Sequence, residues 1–183
     1  MKPDSERLVA LADMAVIETV AALGAGMDKK QLEIREMPGH LIRRLHQVSV
    51  SLFMEEAGKA GFDLTPVQYG ALSTLRANPA IDQATLAGLI AYDRVTIGGV
   101  VDRLVQKGLV RREINKRDRR ARELSLTDEG ERLFEAVTPA VHRVQALTLS
   151  GLDDAEREVF LRLLRKATDA ANDQSRAPLR ETT

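Results

Sequence analysis

The stretch from Asp82 to Leu126 constrains the fold more than any other part of the chain, because the period of its apolar residues changes along its length. In its first half, apolar residues recur at helical spacing in two short segments, and Asp82 and Asp93 stand where they can cap them. Gly108 ends the second segment, and from Val110 onward apolar and polar residues alternate, as in strands with one buried face. Two short helices with almost no linker, followed by a hairpin, predict a winged helix-turn-helix.

The loop between the two predicted strands, residues 115–121, is too polar to be buried and is expected to project into solvent as the wing. Between Arg94 and Arg122 there are ten Lys or Arg residues and three acidic residues, although the whole chain has 27 of each sign. The rest of the chain is therefore net acidic. A lone basic run is usually a solvated loop, but this run coincides with the predicted wing, which favours a polyanion as the partner.

Three motifs in this region resemble those of the MarR-type transcriptional regulators, in the order and at the spacing of that family. They are Asp102-Arg-Leu-Val-Gln-Lys-Gly-Leu-Val110, Asp118-Arg-Arg-Ala121 and Leu126-Thr-Asp-Glu-Gly130. The resemblance covers residues 38–171 and implies a dimeric repressor that binds double-stranded DNA. It also implies that Arg120 enters the minor groove and that Asp118 shapes the wing by pairing with a nearby arginine.

The predicted architecture is mainly α with a small β-hairpin. A winged helix-turn-helix of about residues 62–126 is expected between N- and C-terminal dimerisation helices at residues 38–60 and 127–171. The apolar faces of these end helices are larger than the small basic module can cover, so a homodimer is expected. Two-fold symmetry would place both recognition helices on one side of a duplex, which predicts an inverted-repeat operator.

The two ends of the chain fall outside this MarR-type domain. Residues 1–37 form an N-terminal extension with an extra amphipathic helix from about Ser5 to Leu23, which either packs against the dimerisation region or is a loosely attached arm. Residues 172–183 are polar and are predicted to form a disordered tail.

Several helix and strand boundaries are marked by single residues. Thr65 and Gln68 match a capping box, with proline at the first helical position between them. Ile81 is expected to begin a short strand that pairs with the wing hairpin. Thr127 can cap a long helix that contains Pro139, where we expect a kink rather than a break.

The predicted recognition helix offers side chains suited to the major groove. Arginine can reach the guanine acceptors bidentately, threonine can touch a thymine methyl group, and paired glycines permit a close approach to the groove wall. Alternatively, Gly98 and Gly99 serve tight helix packing; either role must offset a helix-propensity cost of about 1 kcal/mol each. In the wing, Lys116, Arg117 and Arg119 are suited to phosphates. The predicted DNA-binding residues are Asp93, Arg94, Thr96, Gly98, Gly99, Arg103, Lys116, Arg117, Asp118, Arg119 and Arg120.

A polar cluster marks the start of the first long helix. The predicted effector-binding residues are His40, Arg43, Arg44 and His46, together with Tyr69 on the next helix. The family resemblance implies a small aromatic acid as the effector, bound between the dimerisation helices and the winged domain. Arginine would supply a cation for its carboxylate, and the other side chains would bond its ring substituents. The alternative is that the cluster forms salt bridges between helices or protomers.

Two segments extend the resemblance to the MarR-type subgroup that controls nicotinate catabolism. They are Pro38-Gly-His-Leu-Ile-Arg-Arg-Leu-His46 and Tyr92-Asp-Arg-Val-Thr-Ile-Gly-Gly99. The resemblance implies a hydroxynicotinate as the effector. To release DNA, such a ligand must favour the state with misplaced recognition helices by about 1–3 kcal/mol.

The composition argues against several other functions. The chain has no cysteine, which excludes disulfides, thiolate catalysis and cysteine zinc sites, and its three histidines leave little for a metal or catalytic site. We therefore expect neither an enzyme nor a cofactor. Aromatic residues are only 3% of the chain, which argues against a stacking platform for single strands. The competing interpretation is a winged-helix protein-interaction module without a small-molecule effector.

The distribution of charge also argues against a membrane protein. Acidic and basic residues within the first twenty positions interrupt any signal-peptide core, and the longest uncharged run, Leu64 to Leu75, is too short to span a bilayer. A cytoplasmic protein without membrane contact is expected.

Overall fold

The computed structural model describes residues 33–114 and 122–180. The chain divides into two compact units, Met1–Arg43 and Arg44–Thr183. In the first unit, the described residues form a single 3-10 turn at Ile34–Glu36 and the beginning of a long helix. The helix predicted for residues 5–23 lies outside the described residues.

Six α-helices and three strands account for most of the described residues, and the prediction of a mainly α fold with a small hairpin is confirmed. In chain order the elements are α1 (Pro38–Lys59), α2 (Pro66–Ala77), β1 (Ile81–Asp82), α3 (Gln83–Leu89), α4 (Arg94–Gln106), β2 (Val110–Ile114), β3 (Arg122–Leu126), α5 (Asp128–Thr148) and α6 (Asp154–Ala170).

Helices α3 and α4 form the predicted corner. They lie at 111° to each other across a short break, within the range of helix-turn-helix motifs. Asp82 caps α3 by accepting hydrogen bonds from the N–H groups of Ala84 and Thr85. On α4, Ile97, Val101 and Leu104 are fully buried, which gives this amphipathic helix one inward and one outward face.

The sheet is antiparallel, with β3 between β1 and β2. Val110 pairs with Leu126 at its base and Ile114 with Arg122 at the end nearest the wing. Ile81 pairs with Leu124, so the short strand predicted there is present. The sheet therefore fixes both ends of the wing segment, whose residues 115–121 lie outside the described part of the chain.

Local hydrogen bonds fix the helix starts where the sequence predicts them. The capping box at Thr65 is complete: its side chain accepts from the N–H of Gln68 at 3.3 Å, and its own N–H donates to the Gln68 side chain at 3.0 Å. Thr127 caps α5 by accepting from the N–H of Gly130 at 3.0 Å. α5 continues through Pro139, so the helix is not broken there, as predicted; the kink predicted at this residue stays a prediction.

The start of α5 lies directly against the loop that follows α4. A side-chain carbon at Gly130 would stand 2.1 Å from the carbonyl oxygen of Leu109, so only glycine fits there. Thr127 adds two hydrogen bonds: its N–H donates to the Leu109 carbonyl at 3.1 Å, and its hydroxyl donates to the Gly108 carbonyl at 2.6 Å. These contacts join the end of the hairpin to the end of α4.

The prediction of a disordered tail is wrong for residues 172–180. Asn172–Gln174 form a 3-10 turn, and the N–H of Arg180 donates to the carbonyl of Gly88 at 3.0 Å. The polar composition of the segment suggested disorder because it offers little apolar surface. The segment is instead fastened by hydrogen bonds, which do not require apolar side chains.

No single helix among the described residues is long and apolar enough to cross a membrane. Helices α3 and α4 together have that length and composition, but they are bent by 111° at the break between them.

Candidate nucleic-acid interface

The N-terminus of α4 is held by Asp93, as the sequence predicts. The Asp93 carboxylate accepts from the N–H of Thr96 at 2.9 Å and from the Thr96 hydroxyl at 2.6 Å. The hydrogen bond from the hydroxyl, and after it that from the N–H, lower the pKa of the Asp93 carboxyl below its usual value. Asp93 therefore stays ionised, and its charge suits the positive end of the helix dipole.

This cap changes what Thr96 can offer to DNA. Its hydroxyl hydrogen is committed to Asp93, so Thr96 can offer a base its methyl group or its hydroxyl oxygen as an acceptor, but not a donor. The neighbouring Arg94 is exposed and forms no ion pair with a described residue. Val95 is 87% exposed, which is unusual for a branched apolar side chain and marks the outward face of the helix start.

Gly98 and Gly99 have different surroundings. A side-chain carbon at Gly98 would lie 3.2 Å from the side-chain nitrogen of Gln83, so Gly98 faces α3 and fits the packing interpretation. At Gly99 the nearest neighbour would be the guanidinium of Arg103, at 3.6 Å. The Nε of Arg103 donates to the carbonyl of Gly99 at 3.0 Å, which holds this predicted DNA-binding side chain along its own helix.

The base of the wing is braced by an ion pair that sequence reasoning missed. Arg112 on β2 donates to Asp102 on α4 at 2.6 Å, and the Arg112 side chain is 27% exposed. The pair joins the hairpin to the recognition helix. The sequence held one signal for this pair, because both residues belong to the stretch from Arg94 to Arg122, in which basic residues outnumber acidic ones. The pairing predicted for Asp118 lies outside the described residues.

The basic stretch contributes fewer free cations than its composition suggests. Lys107 pairs with Asp63 at 2.7 Å, and Arg111 lies 3.8 Å from Glu113, so these charges are partly compensated. Among the described residues of the stretch, Arg94, Arg103 and Arg122 form no ion pair with another described residue. Arg122, at the start of β3, was not among the predicted site residues.

Five of the predicted DNA-binding residues belong to the wing segment. Lys116, Arg117, Asp118, Arg119 and Arg120 all lie in the segment 115–121, outside the described residues. The strands on either side of them are described, and these strands form the base of the hairpin that the sequence predicts.

The predicted effector-binding residues belong to both units, His40 and Arg43 to the first and the other three to the second. In the second unit, Arg44 and His46 are exposed on α1. Tyr69 is half-buried: its ring stacks on Phe134 at 5.1 Å, and its hydroxyl shares a hydrogen bond with Thr138 at 3.3 Å. Packing against α5 thus accounts for the position of Tyr69.

Comparisons with known proteins agree with this fold. A model described as the MarR family matches residues 64–121. The HTH-type transcriptional repressor NicR of Pseudomonas putida is 33% identical over 146 residues, which cover 80% of this chain and 91% of NicR.

Two solved structures are also similar. One is the PcaV transcriptional regulator from Streptomyces coelicolor in complex with its natural ligand, with 34% identity and a TM-score of 0.69 over 77% of this chain and 98% of PcaV. The other is BpsR of Bordetella bronchiseptica, whose structure concerns the regulation of DNA binding by 6-hydroxynicotinic acid. It has 32% identity and a TM-score of 0.71 over 76% of this chain and 98% of BpsR.

The similarity extends over nearly the full length of each of these relatives, and the residues matched by the family model include the helix-turn-helix corner and β2. The prediction of a regulator rather than an enzyme is confirmed by this relationship. The chain belongs to the MarR family of winged helix-turn-helix transcriptional regulators.

Proposed function

We propose that the protein is a homodimeric repressor that acts in the cytoplasm and releases its operator when it binds a small aromatic or heteroaromatic carboxylate. The operator is an inverted repeat in double-stranded DNA, read by α4 and the wing. The observation that carries this proposal is the exposed Arg94 at the capped start of α4, which forms no ion pair with a described residue, on the helix that is followed by the hairpin with the most basic segment of the chain.

Arg94 and the wing serve different parts of recognition. An arginine at the start of a recognition helix can bind the two acceptors of a guanine and so read sequence, at about 1–3 kcal/mol of discrimination. The wing residues Lys116, Arg117 and Arg119 supply charge for phosphates, which fixes the register but carries no sequence information. Arg120 is assigned to the minor groove.

The dimer is supported by the surface of α6. None of its residues is buried, although Val159 and Leu163 are large apolar side chains that remain 45% and 50% exposed. With Phe160 they contribute to an apolar depression of about 460 Å³, whose other lining residues are Leu152, Ala155 and Glu156. An apolar helix face of this kind is stabilised when it packs against a second copy of itself around a two-fold axis.

The wing assignment predicts a steep salt dependence and two separable variants. If each protomer neutralises about four phosphates, the slope of log affinity against log salt is about −7 for the dimer, from about −0.9 per contact. Arg120→Ala should weaken binding at every salt concentration, whereas Arg117→Ala should mainly make the slope less steep. Fluorescence anisotropy with a labelled duplex over a salt series measures both.

Wild-type affinity and slope in both variants would contradict the assignment. The competing function, a winged-helix module that binds a protein, needs no such slope. A mobility shift with random-sequence duplex separates the two, because nonspecific DNA binding by a repressor depends on the same phosphate contacts.

The effector is supported by the relatives and by one side chain. The BpsR structure concerns regulation by 6-hydroxynicotinic acid, and BpsR is 32% identical to this chain. Arg44 is exposed and forms no ion pair with a described residue, so it can pair with a carboxylate. His40, Arg43, His46 and Tyr69 remain predictions for this site.

Calorimetry with 6-hydroxynicotinate and related aromatic carboxylates is expected to detect binding that Arg44→Ala weakens. A saturating ligand should lower DNA affinity by roughly 5- to 150-fold, the range of a coupling free energy of about 1–3 kcal/mol. Arg162→Ala, which removes an exposed arginine of α6, is the matched control and should bind as the wild type does. Undiminished binding by Arg44→Ala would remove this residue from the proposed site.

A further inference from the structure

The chain after α6 folds into a closed loop, residues 172–180, which we call the C-terminal loop. Asn172 closes it with both ends of its side-chain amide: the nitrogen donates to the carbonyl of Leu179 at 3.1 Å, and the oxygen accepts from the N–H of Leu179 at 2.8 Å. This paired contact closes the loop between Asn172 and Leu179.

The C-terminal loop lies against the helix-turn-helix corner. The N–H of Arg180 donates to the carbonyl of Gly88 at 3.0 Å, in the last turn of α3. A side-chain carbon at Gly88 would stand 3.2 Å from two carbons of the Arg180 side chain, so the small residue allows this close approach. Ala177 and Pro178 are half-buried in the same contact.

Arginines of the loop meet the start of the recognition helix in one depression of about 350 Å³. Arg176 and Arg180 line it from the loop, and Arg94 lines it from α4. All three side chains are exposed, and none forms an ion pair with another described residue. Asp93 also lines the depression, but its carboxylate is engaged in capping α4.

The three arginines outnumber the one carboxylate, that of Asp93, that also lines the depression, so the depression keeps a net positive charge and attracts an anion. Their position selects the kind of anion. Arg94 belongs to the helix that the proposed function places in the major groove, so Arg176 and Arg180 stand beside that groove. The anions beside a groove are the phosphates of the duplex, which arginine binds with paired hydrogen bonds.

We propose that the C-terminal loop is a third DNA-contacting element, in addition to α4 and the wing. Arg176 and Arg180 bind backbone phosphates next to the bases read from the start of α4. Asn172 and Gly88 act as positioning residues, because they hold the loop against the corner. This inference rests on the proposed function, since it assumes that α4 faces a duplex.

The test is the salt dependence of DNA binding by the full chain. In the double variant Arg176→Ala, Arg180→Ala, four phosphate contacts are lost per dimer, so the slope of log affinity against log salt should become less steep by about 3.6. The matched control is Arg162→Ala, Arg165→Ala, which removes the same charge from exposed positions on α6. This control should keep a slope close to that of the wild type.

A second variant separates the effect of the loop's position from the effect of its arginine charges. Asn172→Ala keeps both arginines but removes the two hydrogen bonds that close the loop, so it too should lower the affinity and make the slope less steep. A simple charge effect predicts no change for this variant. Circular dichroism and thermal melting verify that each variant folds.

Three outcomes would overturn the proposal. One is a double variant with the slope of the wild type. Another is an equal change of slope in the α6 control, which would show that the effect comes from net charge and not from the position of the loop. The third is tighter DNA binding by the double variant or by Asn172→Ala, because the loop would then cover the site instead of contributing to it. If the wild type itself shows no salt-dependent binding to duplex, the proposed function fails, and this inference fails with it.

Discussion

Replacing Gly130 with alanine is expected to lower the free energy of unfolding by about 3 kcal/mol, the upper end of the usual cost of overpacking. The added carbon would lie 2.1 Å from the carbonyl oxygen of Leu109 and 3.0 Å from its carbonyl carbon. These are backbone atoms, so no side-chain rotation relieves the contact. Moving the Leu109 carbonyl would also strain the 3.1 Å hydrogen bond that it accepts from Thr127. Urea denaturation of both proteins measures the difference.

Gly58→Ala is the matched control for this substitution. Gly58 is an exposed residue of α1, and a side-chain carbon there would meet nothing within 4 Å. Alanine at this position should not destabilise the protein and can stabilise it by up to about 1 kcal/mol through helix propensity. Equal stability of Gly130→Ala and the wild type would show that α5 does not pack on the Leu109 backbone as closely as described.

The role of Gly130 illustrates what the sequence alone could not provide. The motif from Leu126 to Gly130 is recognisable by resemblance, and the cap at Thr127 follows from local rules. The reason for the glycine is a contact with the backbone of Leu109, which lies far away in the chain. Backbone contacts leave no trace in the apolar pattern, so no periodicity could reveal this one.

Local signals were sufficient for most of the fold. The caps at Thr65, Asp82 and Asp93 each depend on residues within three positions, and all three are present. The strands of the hairpin follow from alternation, and the register follows once Val110 and Leu126 are both directed to the core. These features depend on short-range chemistry, which a sequence displays directly.

The candidate site was less predictable, because it depends on which partners each polar residue finds. The ion pair of Arg112 with Asp102 and the packing of Tyr69 against Phe134 join separate elements. The C-terminal loop was wrongly predicted to be disordered for the same reason. Its contact with Gly88 depends on two single hydrogen-bonding groups that no local pattern connects.

The second large effect is expected from Leu163→Glu, which should convert the proposed dimer into a monomer. Leu163 is half exposed in the isolated chain, so a glutamate there costs the monomer little. In the dimer the same carboxylate would be buried without a partner, at a cost of about 3 kcal/mol or more. That cost weakens dimerisation by at least roughly 100-fold. Sedimentation equilibrium measures the change directly.

The loss of the dimer should extend to DNA binding. A monomer contacts half of the phosphates, so the magnitude of the salt slope on a random-sequence duplex should be about half that of the wild-type dimer. Leu161→Glu is the matched control, because Leu161 is 48% exposed on the same helix but does not line the apolar depression. It should remain dimeric with the wild-type slope. A dimeric Leu163→Glu variant would exclude this face of α6 from the interface, and a monomeric Leu161→Glu variant would show that the interface extends around the helix.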